Sequence, residues 1–248
     1  MTGVDGNERS KTNNEEIFDE HASHYSSTID QSLAAYGANH DFFTRHKARL
    51  IERLLAHRGR DPSKMDLVDV GCGIGKIHEL IGPMFGSVTG IDVSTESIAK
   101  ARTDFPDYTY FDYDDSRLPV ADASADLALA ICVFHHVPPE EWQQLASEML
   151  RILRPGGLAL VIEHNPWNPV TRRIVNNCPI DRDAVLLTRK TTAKLFHSAG
   201  ASRVVSRSVI SVPPLNNTLM SFDAVFGVLP FGAQYYCMAD KPDAGDEG

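Results

Sequence analysis

Short apolar runs alternate with amphipathic segments along most of this chain. Such runs are typical of buried strands, and the segments between them space their apolar residues as a helix does. The predicted strands are 66–70, 87–91, 108–111, 125–133, 157–163, 203–211 and 234–239, and the predicted helices are 75–82, 95–104, 139–151 and 191–199. Because strands and helices alternate, the pattern predicts an α/β domain with a doubly wound sheet of seven strands.

The segments that flank or interrupt this alternation define the expected domain organisation. Residues 15–58 carry apolar side chains at roughly helical spacing, which predicts a helical N-terminal cap on a main domain at 59–240. The stretch 164–190 has three prolines and many polar residues, so we expect an irregular insert that binds substrate. The polar tails 1–14 and 241–248 are expected to be disordered.

Composition and charge narrow the class of protein. The chain has 248 residues with a formal net charge of −9, which argues against a broad nucleic-acid-binding surface. Its beginning lacks the apolar core of a signal peptide, and no apolar run approaches the length of a membrane span. We therefore expect a cytoplasmic protein. The four cysteines are scattered without a C-x-x-C pair, which favours free thiols and no metal site.

A glycine-rich turn joins the first predicted strand to the next helix in LVDVGCGIGKIHEL. Gly71, Gly73 and Gly75 permit positive φ and leave room for a ligand against the backbone. Lys76 stands where the dinucleotide fingerprint G-x-G-x-x-G has its third glycine, which counts against NAD. Asp92 ends the second strand, where a carboxylate can accept both hydroxyls of a ribose. The alternative is an ordinary tight turn with a capping aspartate.

Several motifs in this order resemble those of class I S-adenosylmethionine (SAM)-dependent methyltransferases, in the small-molecule subgroup similar to methyltransferase domain 11. The resemblance covers about 67–163. It rests on Val68–Gly75, Gly90–Ser94, Tyr113–Pro119, Cys132–Val137 and Leu153–Gly157. It implies SAM as the cofactor, methyl transfer as the activity, and a Rossmann-like sheet that is mostly parallel with one antiparallel strand.

The resemblance also implies roles at the cofactor site. Asp69 and the loop 71–75 would hold the methionine portion, Asp92 the ribose and Asp114 the adenine amino group. Ile131 or Cys132 would pass near the sulfonium. The cofactor-binding residues carried over in this way are Tyr25, Asp69, Gly71, Cys72, Gly73, Gly75, Asp92, Val93, Asp114, Asp115 and Ile131.

For some of these roles, another residue or another explanation is an alternative. Asp112 lies in the same acidic run as Asp114 and competes for the adenine, and Tyr113 and Asp115 depart from the usual glycine and alanine of this motif. Tyr25 ends FDEHASHY, which resembles a cap segment that closes over the cofactor, although ordinary packing is the alternative. Arg45 or Lys47 could pair with the methionine carboxylate, but the favoured interpretation of Arg45, His46 and Lys47 is a solvated helix face.

Three histidines follow strands at the sheet edge where the methyl group would lie. Histidine suits proton removal from a hydroxyl because its reference pKa is about 6.5. His136 is the first candidate for a general base, His164 the second, and His135 is expected to face the packing of the sheet. Glu163 is a rival base, or a residue that fixes a neighbouring loop. Each histidine has the alternative of bonding loop backbone.

The insert supplies candidate substrate-binding residues. Asn165, Trp167 and Arg172 combine an aromatic ring, an amide and a cation, which suit a polar ring such as a sugar or a phenol, whereas an ordinary surface loop is the alternative. The leading hypothesis is methyl transfer to a hydroxyl of a small, glycan-related or secondary-metabolite acceptor. The alternatives are N- or C-methylation and a non-catalytic, SAM-binding regulatory partner.

Overall fold

The computed structural model describes residues 40–113, 117–210 and 231–245. Outside these residues lie the predicted tail 1–14, the cap as far as residue 39, Tyr25, Asp114, Asp115 and the chain end from 246.

Seven strands form a single sheet in the order β3-β2-β1-β4-β5-β7-β6. Strand β7 is antiparallel to β5 and β6, and the other neighbours are parallel, which confirms the expected fold class. The strands are β1 Asp66–Val70, β2 Ser87–Asp92, β3 Thr109–Asp112, β4 Ala125–Ile131, β5 Leu153–His164, β6 Arg203–Val209 and β7 Gln234–Asp240.

Helices connect and cover these strands. They are α1 His40–His57, α2 His78–Ile81, α3 Thr95–Asp104, α4 Trp142–Ile152, α5 Pro169–Asn177 and α6 Arg189–Ser198. Helix α1 is the part of the predicted segment 15–58 that the structure describes as helical. Among the residues that the structure describes, no helix is long and apolar enough to span a membrane.

The largest departure from the sequence prediction is helix α5 within the insert 164–190. Pro169 occupies the first turn, where a missing N–H costs no helical hydrogen bond. Asn168 caps this helix by accepting from the N–H groups of Val170 and Thr171. Pro169 therefore begins a helix in a segment that was expected to be irregular.

Other boundaries also differ from the prediction, among them the following two. The helix predicted at 75–82 shortens to α2, because Gly75 has a positive φ of 70° and the chain turns again at Pro83. The predicted tail begins later than residue 241, since the Lys241 ammonium donates to the carbonyl of Leu153 at 2.7 Å. This contact fastens the end of β7 to the start of β5.

Alternate residues of the central strands build two cores on opposite faces of the sheet. Leu127 and Leu129 pack on the face covered by α1, whereas Ala128 and Ala130 face α4 and α6. Burial on both faces explains the continuous apolar runs. The strand order reverses between β1 and β4, so their carboxyl ends open a crevice at which ligands bind in such sheets.

We predict that Val161→Ala lowers the free energy of unfolding by about 2 kcal/mol, because it removes two buried methyl groups and leaves a cavity. Val161 is fully buried in β5, whereas Val170 is 48% exposed on α5. The matched control Val170→Ala should change stability little, as measured by urea denaturation. Equal losses in the two variants would contradict the assignment of this core.

Candidate functional site

The glycine loop that follows β1 is shaped by left-handed backbone at Gly71, Gly73 and Gly75, with φ of 71°, 52° and 70°. A Cβ on Gly71 would lie 2.4 Å from a methyl carbon of Val133, so this glycine lets the loop contact the segment after β4. Apart from Gly73 and its two chain neighbours, no atom of the described residues lies within 4 Å of a Cβ built on Gly73. The loop is therefore closed on the Gly71 side and open at Gly73.

Asp92 holds this loop from the end of β2. Its Oδ2 accepts from the Gly73 N–H at 2.7 Å and its Oδ1 accepts from the Ser94 N–H at 3.0 Å. Burial raises the pKa of Asp92, although these backbone hydrogen bonds oppose the rise. Each carboxylate oxygen has a second lone pair, so Asp92 retains the capacity to accept from a ligand.

Asp69, the fourth residue of β1, presents a buried oxygen with a free acceptor position. Its Oδ2 lies 3.0 Å from Nε2 of His78, and Nδ1 of His78 lies 2.8 Å from the Tyr110 hydroxyl. A carboxylate only accepts, so Nε2 of His78 donates to Asp69 and Nδ1 accepts from Tyr110. The other oxygen, Oδ1, is buried and has no hydrogen-bond partner among the described residues.

The other candidate cofactor-binding residues that the structure describes differ in where their side chains lie. Cys72 packs inward against Ile98 and Tyr110, so only its backbone faces the loop. Burial, followed by the Asp92 carboxylate, raises the pKa of Cys72 well above its ordinary value. Val93 and Ile131 are half-buried beside the ends of β2 and β4.

A buried carboxylate organises the opposite side of the crevice. Glu163 is fully buried near the end of β5, and its Oε1 accepts from the N–H groups of Val133 and Phe134 at 2.8 and 2.7 Å. Its Oε2 accepts from Nδ1 of His135 at 2.6 Å and from the His164 N–H at 3.2 Å. Because both oxygens are engaged, Glu163 fixes the neighbouring loop rather than removing a proton from substrate.

His135, His136, His164, Glu163 and Asp181 form a compact group, called here the histidine cluster. The rings of His135 and His136 are 4.1 Å apart between centroids, and those of His135 and His164 are 5.1 Å apart. Oδ1 of Asp181 lies 3.6 Å from Nε2 of His135 and 3.4 Å from Nε2 of His136. The structure therefore brings together all three histidines singled out from the sequence.

The two adjacent histidines have opposite electrostatic surroundings. Burial by itself lowers the pKa of His135, but the carboxylates of Glu163 and Asp181 outweigh burial and raise it well above 6.5. Burial, reinforced by the neighbouring His135, lowers the pKa of His136 to about 3. His136 is therefore neutral at neutral pH, and it is a weak base.

Cys132 lies where β4 meets the cluster. It adopts a left-handed φ of 58°, and its sulfur lies 3.6 Å from the Lys47 ammonium. Burial opposes ionisation, yet Lys47 and His164 outweigh it and lower the pKa of Cys132 to about 7. Lys47 thus reaches the crevice from α1, whereas His46 is buried rather than solvated.

The three candidate substrate-binding residues of the insert differ in their exposure. Asn165 is buried; its Nδ2 donates to the Gly232 carbonyl and its Oδ1 accepts from the Trp167 N–H. Trp167 is 67% exposed, and Arg172 is exposed on α5. The sequence did not identify Asp181 as a site residue, because Asp181 belongs to no recognisable motif. Its only signal in the sequence is an acidic side chain within the insert.

Comparison with known proteins finds relatives of this chain. A family model described as a methyltransferase domain matches residues 68–161. A probable S-adenosylmethionine-dependent methyltransferase of Mycolicibacterium smegmatis is 28% identical over 196 residues, which cover 73% of this chain and 72% of that protein. The 2-methyl-6-phytyl-1,4-hydroquinone methyltransferase of Synechocystis is 32% identical over 132 residues, 51% of this chain and 40% of that protein. The chain thus spans less than half the length of this second relative.

A solved structure shows the same fold. A protein of Thermotoga maritima, described as a SAM-dependent methyltransferase and possible histamine N-methyltransferase, aligns with a TM-score of 0.68 and 17% identity. The alignment covers 92% of this chain and 99% of that chain.

We predict that Gly71→Ala destabilises the protein more than Gly59→Ala. Both glycines have positive φ, which costs alanine roughly 1–2 kcal/mol, but only Gly71 would add a collision with Val133. Overpacking of this kind costs about 1–3 kcal/mol more. The difference is measured by urea denaturation, and the double variant Gly71→Ala/Val133→Ala should recover part of it. Equal destabilisation by the two single variants would refute the close approach.

Proposed function

We propose that this chain, which is a class I SAM-dependent methyltransferase, transfers the methyl group of SAM to a hydroxyl-bearing small molecule held beside the histidine cluster. The observation that carries the proposal is the direct contact between the two halves of the crevice. Gly71 of the glycine loop lies against Val133, and the Val133 N–H is bonded to Glu163 of the cluster. A cofactor on the loop and an acceptor at the cluster would therefore be neighbours.

The cofactor half offers groups that match SAM. The unpaired, buried Oδ1 of Asp69 suits the ammonium of the methionine portion, because a buried acceptor without a partner is costly. The open space at Gly73 leaves room beside the loop, and Asp92 next to it suits the two ribose hydroxyls. These features support the assignments of Asp69, Gly73 and Asp92 made from the sequence.

Methyl transfer needs alignment of the reacting atoms and, for a hydroxyl acceptor, removal of one proton. SAM supplies a methyl group on a sulfonium that departs as a neutral sulfide. The acceptor oxygen forms the new bond to carbon as the carbon–sulfur bond breaks, and the hydroxyl proton passes to a base of the protein. We assign that base to His164, since the low pKa of His136 makes it weak and Nδ1 of His135 is committed to Glu163.

A phenol or hydroquinone is the acceptor class that we place first. The hydroquinone methyltransferase of Synechocystis is named for an acceptor with acidic hydroxyls, and deprotonation by His164 would activate such a compound. A phenolate carries charge on ring carbons as well as on oxygen, so C-methylation is the second candidate. The relatives described above give no support to a glycan acceptor in particular.

We predict that Asp92→Ala weakens SAM binding at least about tenfold, because hydrogen bonds to a charged group contribute about 1.5–3 kcal/mol each. Isothermal titration calorimetry with SAM and S-adenosylhomocysteine measures the effect. The control Asp104→Ala removes a half-exposed carboxylate on α3 and should bind as the wild type does. Circular dichroism of both variants checks folding. Wild-type affinity in folded Asp92→Ala would remove the ribose assignment.

We predict that His164→Gln lowers kcat about 10²- to 10⁴-fold with the best acceptor from a panel of phenols, hydroquinones and glycosides, since that is the usual contribution of a general base. SAM affinity should stay unchanged. The control His197→Gln alters an exposed histidine of α6. Methylated product is quantified by mass spectrometry, and an unchanged kcat in His164→Gln would show that another group takes the proton.

A further inference from the structure

Three side chains of the histidine cluster bring ligand atoms close together. His135 and His136 come from the turn after β4, and Asp181 comes from the short turn after α5. One ligand atom of each lies within 4.8 Å of the others. Because the residues come from two separate segments, the sequence pattern that excluded a cysteine-based metal site could not reveal this group.

Two of the separations in this group are close to those between ligands of one cation. Oδ1 of Asp181 lies 3.6 and 3.4 Å from the Nε2 atoms of His135 and His136. Tetrahedral ligands at about 2.0–2.1 Å from a zinc ion lie roughly 3.3–3.4 Å from one another. A contact of 3.6 Å is too long for a hydrogen bond. Nε2 of His135 is buried and has no hydrogen-bond partner among the described residues.

Glu163 supplies the support that metal-binding histidines typically have. It accepts from Nδ1 of His135 at 2.6 Å, and this bond turns Nε2 toward Asp181. A carboxylate behind the distal ring nitrogen fixes the tautomer and makes the ligand more basic. Glu163 is itself fixed by the N–H groups of Val133 and Phe134. His135 is thereby preorganised as a ligand.

Charge favours a divalent occupant. Glu163 and Asp181 bring two carboxylates to a place where the side chains are mostly buried. A divalent cation between the imidazoles would balance both of these negative charges. Two nitrogens and one oxygen suit a borderline transition metal better than Mg²⁺ or Ca²⁺.

The geometry points to a site for one divalent transition-metal cation, represented by Zn²⁺, with His135, His136 and Asp181 as its protein ligands. Three protein ligands leave a fourth position open to solvent or substrate. The His136 and Asp181 side chains are 14% and 13% exposed, so the group is not sealed from solvent. If the function proposed above holds, the open position takes the acceptor oxygen and lowers its pKa beside His164. Metal binding itself does not depend on that function.

The test begins with the full chain freed of metal by a chelator. Calorimetric titration with Zn²⁺ should show one tight site that Mg²⁺ does not occupy. Asp181→Asn and His136→Asn should each weaken it at least about tenfold, and Glu163→Gln should weaken it about 10- to 100-fold. Asp107→Asn and His197→Asn, both at exposed positions, should bind as the wild type does.

Two further measurements distinguish loss of the metal site from loss of folding. Loading with Co²⁺ should give strong visible absorption typical of four-coordinate cobalt, and Asp181→Asn should lose it. Titration of SAM into the same samples checks that the variants remain folded and tests the cofactor site separately. The absence of a tight Zn²⁺ site, or equal affinity in wild type and Asp181→Asn, overturns the metal site. Loss of SAM binding with the Zn²⁺ site intact would instead contradict the proposed function.

Discussion

The buried carboxylate of Glu163 is the constraint on which the edge of the sheet depends. Such a group is tolerated inside a protein only when donors surround it. Here the donors are the N–H groups of Val133, Phe134 and His164 and the ring of His135. Satisfying one charge therefore joins the ends of β4 and β5 and sets the orientation of the histidine cluster.

The turn after β4, which contains Val133, connects the histidine cluster with the glycine loop. Gly71 has no side chain where Val133 approaches, so the ends of β1 and β4 lie close together across the reversal of strand order. Asp92 then holds the loop through the Gly73 N–H. The groups proposed to bind the cofactor and those proposed to bind the acceptor are thus parts of one continuous hydrogen-bonded and packed edge, which is the arrangement that transfer between two bound molecules requires.

Sequence reasoning succeeded where the signal is local. Strand and helix periodicity predicted all seven strands, and the glycine spacing with Asp92 predicted the loop, because these depend on neighbouring residues. It did not find α5, since Pro169 serves as a helix start. Nor did it find Asp181, whose meeting with His135 and His136 is created only by the tertiary fold. Nor could the sequence show that the surroundings of His135 raise its pKa while those of His136 lower its pKa.

We expect a SAM-derived ligand to lie between Asp69, Asp92 and the histidine cluster. A crystal structure of the chain with S-adenosylhomocysteine is the most direct test of this placement. The expected result is the ligand's amino group on Oδ1 of Asp69, its ribose hydroxyls on Asp92 and its sulfur directed toward His164. A ligand bound elsewhere, or one whose sulfur points away from the cluster, would contradict this placement.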